Sequence, residues 1–385
     1  GIRKNRGPMS LMSIGVHRTI TNNSLTPENQ NLQLKKIPVT ALVITWDVGH
    51  NCLGRAYLLA EVLERIVDNV VLCGFQFQKR SNDVWEPLRQ GDIPVITIKA
   101  ESMQDWIAAC ERVVEKFRPD IVFASKPRLP SVQLGMLFKK KYNIPLVIDV
   151  DDYELSFVGD ASPIDLDGFK AIDESKVRDE IYPYGKIWTQ LTETLAVDNA
   201  DLILTSNLAL QKKYGGVVIP HVRDEMSFNP HFFDKFDVRK QYQVPLDIKA
   251  IMFFGTVRKH KGVEEVAQAV GELGSDVYLI VVGESEKNLL DRLDQLSYGK
   301  FISLGKQPFE AIPEILAMAD LVVLPQDLSH SISHYQLPAK AIDAIAMSVP
   351  LLVSGTEPLK MLVADGVAKD ISGVDLASAI KEELF

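Results

Sequence analysis

Short apolar runs alternate with amphipathic segments along the chain from about residue 39 onward. Runs such as 41–46 and 321–324 are almost continuously apolar, which is typical of strands buried on both faces of a parallel sheet. Segments with helical periodicity, such as 103–116 and 263–273, lie between most of these runs. Strands and helices that alternate at this spacing predict an α/β fold with parallel sheets.

The alternation forms two series, separated by a stretch that has no apolar period. We predict four regions: a disordered or cloning-derived N-terminus at 1–36, an N-terminal Rossmann-like domain at 37–220, an interdomain connection at 221–245, and a C-terminal Rossmann-like domain at 246–385. Two such sheets in one chain are expected to face each other across a cleft. In open parallel sheets, ligands bind beyond the carboxyl ends of the strands, so the loops there are the candidates for chemistry.

Composition narrows the class of protein. The 385 residues are 46% hydrophobic and 24% charged with a formal net charge of −9, which argues against nucleic acid as a partner. No apolar run approaches the roughly 18 residues that a transmembrane helix needs, although peripheral contact with a membrane stays open. The 3 cysteines show no metal-binding spacing and favour a reducing compartment. The sequence therefore predicts a soluble cytoplasmic protein.

The stretch 333–354 follows one apolar run and ends in another. Pro338 stands where a helix would begin, because its missing N–H would have no partner there. The free N–H groups of a first helical turn can bind an anion, and Lys340 adds a cation to the same turn. Asp343 lies one turn further on. A ligand with phosphate and hydroxyl groups fits this pattern, and an ordinary buried helix fits it equally well.

A second candidate site follows the predicted strand at 249–254. Gly255 would let a ligand approach the backbone, and three cations come within four residues, among them Arg258 and Lys261. The spacing is not that of a P-loop. Gly283, after the next strand, would also let a ligand come close. The alternative is a solvated basic turn.

Two loops of the first series carry further polar residues. Asp47 and His50 precede a predicted helix whose start, near Gly54, could meet a phosphate; they could also be a loop cap and a surface residue. Asp151 and Asp152 follow the strand at 145–150, where carboxylates suit hydroxyl recognition, a divalent metal or base chemistry, or cap the next helix. We favour hydroxyl recognition.

The basic loop and the stretch 333–354 resemble motifs of the retaining GT-B-fold glycosyltransferases (glycosyltransferase family 4-like, group 1). Gly255, Arg258 and Lys261 are similar to the donor loop of that family. The segment 219–230 resembles its interdomain connection, and 343–350 resembles the second half of its donor motif.

Three positions depart from the donor motif, and one of them is Ser348, which replaces the usual Gly. Asp343 replaces its second Glu, and Tyr335 stands where its first Glu, a contact to the donor sugar, would be expected. The departure at Tyr335 leaves the identity of the sugar open.

The resemblance implies a nucleotide-diphosphate sugar bound to the second domain and an acceptor hydroxyl supplied near the first. Arg258 and Lys261 would neutralise the diphosphate leaving group, and Asp343 would accept hydrogen bonds from the ribose. Neither a cofactor nor a metal is expected, because Arg and Lys take that role. The donor would be bound by Gly54, Gly255, Gly283, Gln336, Leu337, Pro338, Ala339, Lys340 and Asp343, and the acceptor by Asp47, His50, Asp151 and Asp152.

Two alternatives remain. A nucleotide-sugar 2-epimerase on the same fold would use acid and base groups, for which Asp151, Asp152 and His221 are the candidates. A catalytically degenerate binding or scaffold subunit would explain Tyr335, but it would have no need of a diphosphate clamp at Arg258 and Lys261.

Overall fold

The computed structural model of the protein describes residues 35–49, 54–76, 83–99, 103–178, 185–255 and 261–385. Residues 36–385 form one compact unit that contains two parallel β-sheets. Two residues that the sequence singles out, His50 and Arg258, lie outside the described residues.

Among the described residues, the first sheet has seven parallel strands in the order β3-β2-β1-β4-β5-β6-β7. In the inner strand β1 (Ile37–Thr45), alternate residues enter different apolar clusters. Leu42 and Ile44 enter one cluster and Ala41 and Val43 the other, so both faces of the sheet are covered. The strands are β1 (Ile37–Thr45), β2 (Val67–Gln76), β3 (Val95–Lys99), β4 (Ile121–Ser125), β5 (Leu146–Val150), β6 (Leu202–Thr205) and β7 (Val217–Val218). The helices of this half are α1 (Gly54–Glu64), α2 (Glu86–Gln90), α3 (Met103–Lys116), α4 (Leu129–Tyr142), α5 (Leu166–Lys170), α6 (Glu174–Arg178), α7 (Lys186–Asn199) and α8 (Leu208–Tyr214).

In the described part of the chain, the second sheet has six parallel strands in the order β10-β9-β8-β11-β12-β13. Its strands are β8 (Lys249–Phe254), β9 (Val277–Val282), β10 (Phe301–Gly305), β11 (Leu321–Leu324), β12 (Leu351–Val353) and β13 (Lys369–Asp370). The helices of this half are α9 (Lys235–Gln241), α10 (Val263–Glu272), α11 (Lys287–Leu296), α12 (Ile312–Ala317), α13 (Ala339–Ala346), α14 (Lys360–Ala364) and α15 (Leu376–Leu384). Two parallel, Rossmann-like sheets confirm the predicted fold.

Local differences from the predicted elements have physical causes. β1 begins at Ile37, before the apolar run, because its partly exposed first residues pair with β2 from Val67 onward. The predicted connection contains α9, which begins because the Asp234 side chain accepts hydrogen bonds from two backbone N–H groups of its first turn. Val238 of α9 then packs into the core of the second sheet.

The carboxyl ends of the central strands carry the polar loops. Asp151 and Asp152 follow β5, Gly255 follows β8, and Gly283 follows β9. In each sheet this is the edge at which ligands of open parallel sheets bind.

Candidate active site

A cavity of about 850 Å³ lies between the two sheets and takes its lining from both. Its volume is within the range of sites for small-molecule ligands. The predicted site residues that line the cavity are Gly54, Lys261, Gly255, Gly283, Gln336, Leu337, Pro338, Ala339, Lys340, Asp343, Asp151 and Asp152. Residues distant in the sequence therefore converge on one site.

The start of α13 forms one wall of the cavity. Pro338 is the N-cap residue and has no side chain that could cap the helix, so the N–H groups at the helix start receive no hydrogen bond from a cap side chain at that position. Lys340 lies above the end of β8, with its ammonium 4.4 Å from the ring centroid of Phe253. Positive potential from the helix end and from Lys340 meets at this wall, which suits a phosphate group.

Two glycines bring backbone close to this wall. Gly255 has φ +91°, and a Cβ atom there would lie 2.7 Å from the Cε atom of Lys340. Gly283 has φ +143°, and its Cβ would lie 2.4 Å from the backbone oxygen of Gly255. Because neither position carries a side chain, Lys340 and the two strand ends can pack against one another.

Asp343 lies one turn into α13 and is paired with Arg223 of the interdomain connection. The Nε atom of Arg223 donates to the Oδ1 atom of Asp343, and the two side chains are only 12% and 8% exposed. Burial raises the pKa of the Asp343 carboxyl, although Arg223 acts in the opposite direction. The carboxylate expected to bind ribose hydroxyls therefore already holds a cation.

A cluster of charged groups forms the opposite wall. The ammonium of Lys126 lies 3.1 Å from Asp151 and 2.5 Å from Asp152. The Nε2 atom of His221 is 3.0 Å from the other oxygen of Asp151, and Gln336 donates to Asp152 at 2.7 Å across the cleft. Burial alone would raise the pKa of Asp151, but Lys126 and His221 outweigh it and hold this pKa well below its usual range. Asp151 is therefore charged at neutral pH and suits hydroxyl recognition better than proton abstraction.

A buried ion pair anchors the connection beside this cluster. The guanidinium of Arg55, at the start of α1, donates to both carboxylate oxygens of Asp149 at distances from 2.8 to 3.2 Å. The same guanidinium donates to the backbone oxygens of Ile219 at 2.7 Å and Pro220 at 3.1 Å. This fixes the backbone immediately before His221, which is how the His221 ring comes to lie against Asp151.

Asp47 is placed differently from the other predicted acceptor residues. It is 1% exposed and is absent from the described cavity lining, and its carboxylate accepts a hydrogen bond from the backbone N–H of Gly49 at 2.7 Å. Its side chain thus stabilises its own loop, as in the cap alternative.

Tyr335, which replaces the first Glu of the donor motif, faces the other sheet rather than the cavity. Its ring centroid lies 4.8 Å from that of Tyr153, and its backbone oxygen accepts a hydrogen bond from Asn207 at 2.9 Å. Its neighbours Ser333 and Gln336 do line the cavity. The departure from the motif therefore lies at a contact between the two halves of the chain.

Sequence reasoning missed two of the charged residues that line the cavity, Arg55 and Arg223. Arg55 follows directly on Gly54 at a predicted helix start, and Arg223 lies in a segment noted only for its resemblance to a connection. The sequence carried a signal for both residues, namely an Arg placed next to a strand end or in a hinge. A buried Arg at such a place needs a partner, because an unpaired buried charge is costly. Among the described residues, no group of three or more His, Cys, Asp or Glu side chains is placed to hold a metal ion.

Comparison with known proteins agrees with this architecture. The fold is that of the GT-B class. HepE of Anabaena, in complex with UDP and glucose, superposes with a TM-score of 0.61 over 89% of both chains at 16% identity. A glycosyltransferase of Rickettsia africae ESF-5 superposes with a TM-score of 0.64 over 90% of this chain and 88% of its own, at 14% identity.

Sequence comparison finds a family match in the second half of the chain. Residues 234–383 match the family Glycosyl transferases group 1, so the GT-B resemblance that the sequence suggested is confirmed. A stretch of 163 residues is 28% identical to TuaC of Bacillus subtilis strain 168, a protein assigned to teichuronic acid biosynthesis as a glycosyltransferase. That match covers 41% of this chain and 39% of TuaC, so less than half the length of that relative is spanned.

No helix in the described part of the chain is both long and apolar enough to cross a membrane.

Proposed function

We propose that this protein is a glycosyltransferase that moves a sugar from a nucleotide-diphosphate sugar to an acceptor hydroxyl. The observation that carries the proposal is the wall built by Lys340 and the start of α13, with Asp343 one turn further on, in a cavity that Lys261 also lines. This segment matches the group 1 family. Cations and helical N–H groups suit a diphosphate, and a carboxylate beside them suits the ribose.

In the proposed reaction, the bond between the anomeric carbon and the phosphate oxygen breaks as the acceptor oxygen bonds to the same carbon. The acceptor proton passes to a leaving phosphate oxygen on the same face, so the anomeric configuration is retained. Lys261 and Arg258 neutralise the charge that develops on the diphosphate, and no metal is required. Asp151 and Asp152 orient the acceptor, since Lys126 and His221 keep Asp151 charged.

Ligand identity is tested first by thermal shift with a panel of nucleoside diphosphates. UDP heads the panel because HepE was solved with it. Stabilisation grows as RT ln(1 + [L]/Kd), so millimolar ligand reveals even weak binding. Stabilisation by one member of the panel supports the proposal, and no shift with any of them contradicts it.

Replacement of Lys261 or Arg258 by Ala is expected to lower turnover by orders of magnitude, because one preorganised contact to a developing charge contributes about 2–4 kcal/mol. The measurement is release of nucleoside diphosphate from the donor in the presence of acceptor. Lys360→Ala is the matched control, since Lys360 is exposed, pairs with Glu357 and does not line the cavity. Unchanged turnover in both variants would remove the clamp from the proposal.

The product decides between the transferase and the epimerase alternative. NMR of the reaction with donor and acceptor is expected to show a new glycosidic bond with the anomeric configuration of the donor, in the presence of EDTA. Epimerised donor without transfer would instead assign acid–base chemistry to Asp151, Asp152 and His221. An inverted product would leave the transfer but overturn retention.

A further inference from the structure

Arg223 occupies a position that neither the donor motif nor the basic loop accounts for. Its Nε atom donates to Asp343, and its Nη1 atom donates to the backbone oxygen of Val222 at 2.8 Å. Within the described part of the chain its Nη2 atom has no hydrogen-bond acceptor, and the side chain lines the cavity. Its guanidinium carbon lies 5.4 Å from the ring centroid of Phe228, so the planar group rests on an apolar surface.

The pair between Arg223 and Asp343 stands in the way of a diol. A ribose presents two adjacent hydroxyls, which bind a carboxylate best when each bonds to its own oxygen. Arg223 already holds the Oδ1 atom of Asp343, and the carboxylate is only 8% exposed. A diol that bonds to both oxygens of Asp343 therefore competes with Arg223 for Oδ1 and for the small exposed part of the carboxylate. A guanidinium displaced in a partly enclosed cavity needs another anion.

The backbone that carries Arg223 is held in place by contacts that do not involve the Arg223 side chain. The oxygens of Ile219 and Pro220 accept hydrogen bonds from Arg55, and His221 is fixed against Asp151. A change of partner by Arg223 is thus a change of rotamer and leaves the connection where it is.

Building on the proposed function, we propose that Arg223 is a specificity-determining residue that exchanges Asp343 for the diphosphate of the ligand. In the empty site it neutralises Asp343. When ribose hydroxyls take its place, it bonds to the phosphate groups carried by the same ribose. A nucleoside breaks the pair without replacing it, whereas a nucleoside diphosphate supplies the new anion. Arg223 therefore selects phosphorylated ligands over unphosphorylated ones.

The test compares uridine and UDP by isothermal titration calorimetry on the full chain and on Arg223→Gln. We expect the variant to bind uridine about tenfold more tightly, because Asp343 no longer has to be freed, and UDP about tenfold more weakly, because a charged hydrogen bond to phosphate is lost. The preference for UDP over uridine then falls about 100-fold. The two affinities change in opposite directions, which loss of folding cannot produce.

Two further variants sharpen the result. Arg223→Lys keeps a cation and is expected to restore most of the preference for UDP. Arg65→Gln is the matched control, since Arg65 pairs with the next connection residue, Asp224, at 2.6 Å but is absent from the described cavity lining.

Two results would overturn the inference in distinguishable ways. If the wild-type chain binds UDP but Arg223→Gln keeps its preference over uridine, the exchange is wrong and the proposed function stands. If the wild-type chain binds none of the nucleoside diphosphates of the panel, the proposed function fails and the inference fails with it.

Discussion

Replacement of Asp149 by Asn would remove the counter-ion to which the buried Arg55 guanidinium is bonded. The two side chains are 1% and 0% exposed, so water cannot take the place of the lost charge. Asp149 also accepts a hydrogen bond from Ser125 at 3.1 Å, which an amide oxygen can still accept. Breaking a buried ion pair by removing one partner costs about 3–5 kcal/mol, and we expect Asp149→Asn to lose a free energy of unfolding of that size.

Tryptophan fluorescence during urea denaturation is a suitable assay. All 4 tryptophans of the chain lie at or before residue 188, in the half that contains the pair, so their signal reports on the correct sheet. The double variant Arg55→Gln, Asp149→Asn is expected to lose less than the sum of the two single variants, because neither charge is then left alone. Glu382→Gln is the control, since Glu382 pairs with Lys369 in the solvent and its loss should leave the transition unchanged.

A loss below about 1 kcal/mol for Asp149→Asn, or full additivity in the double variant, would refute the view that the pair is held together as a desolvated unit. A large loss with intact UDP binding at low denaturant would separate the structural role of the pair from ligand binding.

Two further predictions concern the second sheet. Gly262→Ala should destabilise the chain by more than about 2 kcal/mol, because the residue has φ +68° and its Cβ would lie 2.0 Å from the backbone oxygen of Pro325. Gly299→Ala is the control: Gly299 has φ +77° with open space around it, so this variant isolates the backbone cost of about 1 kcal/mol. Equal losses for the two variants in urea denaturation would contradict the prediction. Burial would raise the pKa of Asp320, but its pairing with Lys235 and a backbone N–H prevails and lowers it. The stabilisation that Asp320 contributes is therefore present above the unfolded pKa of about 3.9 and is lost as the pH falls. Asp320→Asn should flatten the decline in the free energy of unfolding below about pH 4. An unchanged decline would exclude Asp320 as its cause.

The sequence predicted the sheets because strands buried on both faces leave a strong local pattern. Residues 249–254 and 321–324 are apolar at nearly every position, and the structure pairs them as β8 and β11. The cavity could be predicted as well, since the carboxyl ends of parallel strands share one edge and so bring Gly255, Gly283 and Asp151 toward the same space.

The pairing of charges could not be predicted in the same way. The partners Arg55 and Asp149 are separated by 94 positions, and Arg223 and Asp343 by 120, so no local pattern connects them. Asp47 shows the converse: a polar residue at the correct strand end turns back to its own loop, where its carboxylate accepts a hydrogen bond from the N–H of Gly49.

The structure places residue 335, a departure from the donor motif, in a way that the sequence does not show. A Tyr in place of a sugar-binding Glu suggests a lost contact and hence a degenerate site. In the structure that side chain packs on Tyr153 of the other half, while the adjacent Gln336 reaches across to Asp152 at 2.7 Å. Because the ring fixes the backbone next to Gln336, residue 335 acts on how the two walls of the cavity meet. The side chains of this loop that do line the cavity are those of Ser333 and Gln336. Tyr335 therefore serves as a contact between the two halves of the chain.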